Sequence, residues 1–253
     1  MLLLATPASA ADTATVSILH AVPGTPVDVY ANGQRLIDDF QPGTLTDPMQ
    51  LPAGSYDLAL YPADAPDASG APLLSAKGVA VPAGANATVV AHPTADGKPA
   101  LTPFVNDTSA IPAGQARVTV RHTAAAPAVD VRAGGAVVVP GLENPKDASL
   151  TVPAGTVSAD VVLAGTSTVA IGPADLTLAD GTTNIVYAWG SQDAGFQLAV
   201  QTISGGHSAP AGVPGGTGGL VDDGRLPLPV AALSVIGLVA AGAGALRLAR
   251  TRG

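Results

Sequence analysis

The chain has 253 residues, no cysteine and a formal charge of -8. Without cysteine there can be no disulfide framework, thiolate metal site or cysteine nucleophile, so a hydrophobic core alone must hold the fold. Between Ala11 and Gly224 there are 7 Lys and Arg against 19 Asp and Glu, a net of -12, and so acidic a body argues against nucleic acid or anionic polymers as partners.

Aromatic residues make up 3% of the chain, against 30 Gly and 23 Pro, so the core must be built of Val, Leu, Ile and Ala on short strands joined by tight turns. At the amino terminus Ala8-Ser9-Ala10 is a signal-peptidase pattern, and cleavage after Ala10 predicts a mature chain from Ala11. Residues 1–10 are then the remnant of a signal peptide, because what precedes the cleavage site is shorter than the roughly 7–15 apolar residues such a signal uses.

The first domain is expected over 14–105. Val16, Ile18 and His20 alternate with Ser17 and Leu19, and Val27 to Ala31 alternates up to Asn32-Gly33, the dipeptide suited to the positive φ angles of a two-residue hairpin. Further strands follow at Gln34 to Ile37, Met49 to Leu51, Tyr56 to Leu60, Leu73 to Val81, Thr88 to His92 and Leu101 to Val105. The stretch from Pro62 to Pro72, rich in Pro, Asp, Ala and Ser, reads as a surface loop. About seven strands are expected in the finished domain.

The stretch His20 to Val29, HAVPGTPVDV, returns as His122 to Val131, HTAAAPAVDV, with histidine, aspartate and flanking valines at one offset. A period of about a hundred residues is too long for a solenoid unit and predicts a second domain over 116–203, joined through a stiff linker at 106–115. Short strands with regular turn signals and no helical period predict two tandem immunoglobulin-like antiparallel β-sandwiches, an all-β fold. Residues 204–225, dominated by Gly, Pro, Ser and Ala, read as a flexible stalk. Leu226 to Leu246 is an uncharged run of about the roughly 20 residues that cross a bilayer, followed by Arg247, Arg250 and Arg252. Basic residues stay on the cytoplasmic side, so a single span at 226–246, a cytoplasmic tail at 247–253 and a body outside the cell are expected.

His20 with Asp28, and His122 with Asp130, could form an oriented acid–base pair or contribute to a metal site. Neither repeat supplies a second histidine at ligand spacing, and the counterpart of His92 is Trp189. The four residues are therefore read as structural, serving backbone groups of the loops at Ala21 to Pro26 and Thr123 to Pro127. Asp38-Asp39 and Asp222-Asp223 each offer too few oxygens for calcium. There is no Gly-x-Ser-x-Gly, no phosphate-binding Gly-rich loop with Lys and no His-Glu-x-x-His, so no catalytic residue, cofactor or metal is assigned. The tail has the layout of a cell-wall sorting signal but lacks its Leu-Pro-x-Thr-Gly pentapeptide, which favours retention in the membrane.

The order of strand, His-x-x-x-x-x-x-x-Asp, hairpin and a strand after Pro-Ala-Gly resembles the domain-of-unknown-function family 4397 of bacterial secreted and surface proteins. The resemblance covers about Ala14 to Thr202 in two tandem copies, the first keeping Pro23 and Asn32-Gly33 where the second has Ala125 and Gly134-Gly135. It implies a β-sandwich outside the cytoplasm and no established activity. The Ala, Gly, Val and Pro bias with few lysines resembles an actinobacterial coding style. The expected function is that of a surface-displayed, membrane-anchored binding or adhesion module for an envelope or host-surface protein or glycan. The alternatives are a structural envelope spacer and, with no constellation to support it, an enzyme.

Overall fold

A computed structural model describes residues 12–24, 26–65 and 67–205. The expected signal remnant, the stalk beyond residue 205, the apolar run and the three terminal arginines lie outside them. Among the described residues there is no helix, and so none long and apolar enough to cross a membrane.

Sixteen strands are described, eight in each of two sandwich-like bodies, where seven were expected. The first body has β1 (Thr13–His20), β2 (Val27–Ala31), β3 (Gln34–Phe40), β4 (Met49–Pro52), β5 (Gly54–Pro62), β6 (Leu74–Val81), β7 (Asn86–Pro93) and β8 (Pro99–Val105). The second has β9 (Gln115–His122), β10 (Val129–Ala133), β11 (Ala136–Leu142), β12 (Asp147–Pro153), β13 (Gly155–Leu163), β14 (Val169–Leu178), β15 (Thr183–Ser191) and β16 (Gly195–Ile203). In the first body the sheets run β4-β1-β7-β8 and β3-β2-β5-β6. In the second they run β12-β9-β15-β16 and β11-β10-β13-β14, the same order moved on by eight strands. The sequence repeat is thus a repeat of topology.

One expectation needs correction. The sheets are not purely antiparallel, since β1 pairs with β7, and β9 with β15, in parallel. Hairpins join antiparallel neighbours, whereas parallel neighbours need a crossover. Here the chain leaves β1 for the opposite sheet, returns at β4, leaves again through β5 and β6, and comes back to lie beside β1 as β7. Asn32 at φ 51° and Gly33 at φ 77° make the predicted tight turn between β2 and β3, and Gly134-Gly135 repeats it.

Val16 and Ile18 point into the first sandwich with Val29, Leu58, Val79 and Val89, and Val120, Val131, Val139 and Val161 fill the second. The intervening residues of β1, which an isolated sandwich would show to water, are covered as well, and Leu19 is 0% exposed. Leu19, Ala21, Val90 and Phe104 of the first body share one buried cluster with Ile185, Tyr187 and Trp189 of the second. The two bodies therefore meet through equivalent sheets, and their joint is a core rather than a loose contact.

Gln201 pairs a set of polar groups inside the joint, whereas the buried Trp189 Nε1 makes no hydrogen bond. Gln201 Oε1 accepts from Thr88 Oγ1 at 2.9 Å and from Tyr187 Oη at 2.7 Å, while its Nε2 donates to Ser17 Oγ at 3.3 Å. The Arg121 guanidinium lies 4.4 Å from the Phe104 ring centre and donates to Tyr187 Oη. Gly43 is required by a close approach, because a Cβ there would lie 2.7 Å from Trp189 Cζ2 and its φ is +80°. The linker is pinned too. Arg117 Nη1 donates to the carbonyls of Asp107 and Ser109, and Ile111 is fully buried.

Candidate functional site

The motif histidine and aspartate sit on different sheets. In the second body the His122 ring lies between Pro127 O, 2.9 Å from Nε2, and the Ala124 amide, which donates to Nδ1 at 3.4 Å. A carbonyl on one side and an N–H on the other fix the neutral tautomer with its proton on Nε2. Burial accordingly holds His122 below the usual histidine range. His20 is equally buried and packs against Phe40, ring centres 5.8 Å apart.

The aspartates do something else. Val27 and Val29 enter the core, so Asp28 between them points away from it, and its Oδ1 accepts from the Asp39 amide at 3.0 Å. Asp130 Oδ1 accepts from the equivalent Gly141 amide at 2.7 Å, and its Oδ2 from the Gly165 amide at 2.9 Å. Asp39 and Gly141 both have left-handed φ, at 50° and 61°, beside register shifts in the pairings of β2 with β3 and β10 with β11. The carboxylate thus closes a bulge in each hairpin. This differs from the expected service to the loops 21–26 and 123–127, because the aspartate faces away from them. Two backbone N–H groups, Gly165 first and Gly141 second, hold the Asp130 carboxyl below the usual carboxylate range.

Asp28, Asp38 and Asp39 bring carboxylate oxygens together, a trio the sequence showed only as a pair. The cation between them is the chain's own. Arg35 Nη1 reaches Asp38 Oδ1 at 2.7 Å and Asp28 Oδ2 at 3.3 Å.

The loops that follow the two histidines border one open cleft of about 670 Å³. Val22 to Gly24 come from the first copy of the motif and Ala125 from the second, while the turns around Asp96 and Asp193 complete the wall. Among the described residues two carboxylates and no cation line it, one of them, Asp96, paired with Lys98 at 2.8 Å, so it suits an uncharged or cationic guest better than an anion. Asp96 is held down to about 2 by Lys98 and Thr94. Beneath the cleft Asn144 Nδ2 donates to Pro93 O of the first body at 2.9 Å and to Ala124 O of the second at 2.6 Å, tying the loops of both bodies together.

Sequence reasoning missed Gln201, Arg121, Tyr187 and Asn144. A signal existed for the joint. Ile185 to Trp189 reads as an unbroken apolar run, the mark of a strand buried on both faces.

No curated protein matches the chain. One solved structure, a candidate cell adhesion protein of Bacteroides uniformis, covers 75% of this chain and 96% of its own at 12% identity, with a TM-score of 0.20, and a likeness so weak carries no argument. The family profile named "Domain of unknown function (DUF4397)" matches residues 14–132, which span the first body and run on through β10. Over those residues the chain matches the DUF4397 family of domains of unknown function.

Proposed function

We propose that this is a non-enzymatic binding module of the bacterial cell surface, with its two immunoglobulin-like bodies outside a membrane anchored by 226–246 and its arginines inside. The observation that carries the reading is the cleft of about 670 Å³ built jointly by loops of both bodies. A buried joint fixes the spacing of those loops, so the site exists only when the bodies are paired, and such pre-organisation lowers the entropy a ligand must give up. The motif supports it from below: His122 holds the loop that carries Ala125, and Asp28 and Asp130 hold hairpins. The ligand is an uncharged or cationic surface group, a glycan or a protein segment.

The full chain in lipid nanodiscs, screened against envelope glycans and proteins, should capture a ligand that Ala125→Arg together with Ala194→Trp no longer binds. Capture unaffected by that pair would remove the cleft from the reading. The second reading is a spacer, favoured by the pinned linker; a screen that captures nothing would leave it standing.

A further inference from the structure

The cleft between the bodies repeats the relation between the two copies. The register that sets Ala91 beside His20 sets Ala188 beside His122, and Pro93 opposite Pro99 answers to Gly190 opposite Phe196. Counted on from there, Asp96 in the turn after β7 corresponds to Asp193 in the turn after β15. Both line the cleft, one on each body. Their neighbours have diverged: Thr94, Ala95, Gly97 and Lys98 in the first turn stand against Ser191, Gln192, Ala194 and Gly195 in the second. Within the turn only the aspartate is kept.

A turn aspartate is commonly kept for the turn itself, because its carboxylate serves nearby backbone and hydroxyl groups. That holds for Asp96, which accepts from Thr94 Oγ1 and pairs with Lys98 Nζ at 2.8 Å. It does not hold for Asp193. The second turn is closed by Ser191 Oγ, which accepts from the Ala194 amide at 3.1 Å. Among the described residues the exposed Asp193 carboxylate makes neither a hydrogen bond nor an ion pair, so its charge is left for a guest.

The rest of the cleft says what kind of guest. With 7 Lys and Arg against 19 Asp and Glu between Ala11 and Gly224, the body draws basic partners toward it. Val22, Pro23 and Pro93 give the wall apolar surface, along which the methylene stem of a lysine can lie while its ammonium reaches a carboxylate. Among the described lining residues there is no aromatic ring, so the flat face on which a sugar ring would stack is missing. Gln192, exposed and without a hydrogen bond among the described residues, offers a donor and an acceptor together. A peptide group complements both, whereas a protonated polyamine only donates.

We propose that the cleft takes an extended basic segment of a partner protein, with a lysine or arginine of that segment set against Asp193. This rests on the cleft being the binding site of the module. Asp96 is the lesser anchor, because Lys98 competes for it where the second turn has Gly195.

The test is the fluorescence anisotropy of dye-labelled, end-blocked tetralysine with the full chain in nanodiscs of a zwitterionic lipid. Salt is held at about 0.15 M, where exposed charges more than about 8 Å apart are largely screened. The peptide should bind saturably, and tetraglutamine should not compete with it. Asp193→Asn should weaken binding about threefold, the size of an exposed ion pair. Asp175→Asn removes an exposed charge of the same body away from the cleft and should leave binding unchanged. Lys98→Ala should tighten binding about twofold by freeing Asp96, while Lys77→Ala, the same change of net charge on β6, should not. Spermine, which matches the peptide in charge, should compete about tenfold more weakly. Equal losses from the two aspartate variants, equal effects of the two lysine variants, competition by tetraglutamine, or spermine as effective as the peptide would overturn the proposal. So would tetralysine that does not bind, and the cleft itself would still stand if a neutral ligand is captured and then lost with Ala125→Arg and Ala194→Trp.

Discussion

Thr88 and Gln201, 113 positions apart, share a hydrogen bond of 2.9 Å in the middle of the joint. The same Gln201 oxygen also accepts from Tyr187, and its amide nitrogen serves Ser17, so one side chain on β16 satisfies groups on three other strands. Replacing it with leucine takes the acceptor from the Thr88 and Tyr187 hydroxyls and the donor from Ser17 Oγ, at roughly 1–3 kcal/mol for each buried group left unserved. Gln201→Leu should therefore split a single cooperative unfolding transition into two, one per body. Calorimetry decides this, and a single unshifted transition would show that the joint does not couple them.

Gly43→Ala should weaken the same joint from the opposite wall. The substitution meets Trp189 and forces a left-handed φ on a residue with a Cβ, a strain of about 1–3 kcal/mol. The readout is the fluorescence of Trp189, the chain's one tryptophan, which is 5% exposed and should shift to the red as the joint opens. An unchanged spectrum and melting temperature would contradict the close approach.

Asp39→Gly should stabilise the first body by about 1 kcal/mol, because it relieves a left-handed residue and copies Gly141 of the second body. It also removes one carboxylate from the trio with Asp28 and Asp38 while keeping the amide that Asp28 needs. A fall in melting temperature would show that the Asp39 side chain has a role of its own. Asp130→Asn should act in the other direction. Its amide nitrogen would confront one of the two glycine N–H donors, and only the second body's transition should drop.

The dependence on pH follows from His122 and His92, both held below the usual histidine range by burial. Folding therefore favours the neutral rings, and the unfolded chain binds more protons below about pH 6.5. That part of the stability is fully present above this pH and is lost as pH falls toward the folded-state values. Asp130 has the same sign in a lower window, present above its unfolded value near 3.9 and lost as pH falls through the depressed one. His122→Gln should flatten the melting-temperature profile between about pH 7 and 5 relative to the parent. An equally steep profile in the variant would assign the loss to other groups.

Protease added to intact cells should release the body if Arg247, Arg250 and Arg252 lie inside, and a body protected until lysis would reverse that orientation.

Strand positions, hairpins and the two-copy plan were legible because they rest on local signals: alternating valines, Asn32-Gly33, and a repeated His-to-Asp offset. The parallel partners were not legible, since nothing in β1 or β7 says which neighbour a strand chooses after a crossover. The aspartates were placed correctly in their strands but credited to the wrong loops. Their partners, Asp39 and Gly141, lie 11 positions on and face them only because of a bulge. The cleft was illegible for a related reason, as its walls come from turns near residues 23, 96, 125 and 193 that meet only once the bodies pair.

That pairing has the form of a two-fold dimer. Thr88 and Gln201 face each other across the joint, and their equivalents, Ile185 and Phe104, lie together in the same buried cluster. Fusing two copies of a self-complementary face into one chain makes the association independent of protein concentration and leaves each half free to change alone. The polar pair at one place in the joint and the apolar pair at the other are the divergence that such a fusion permits.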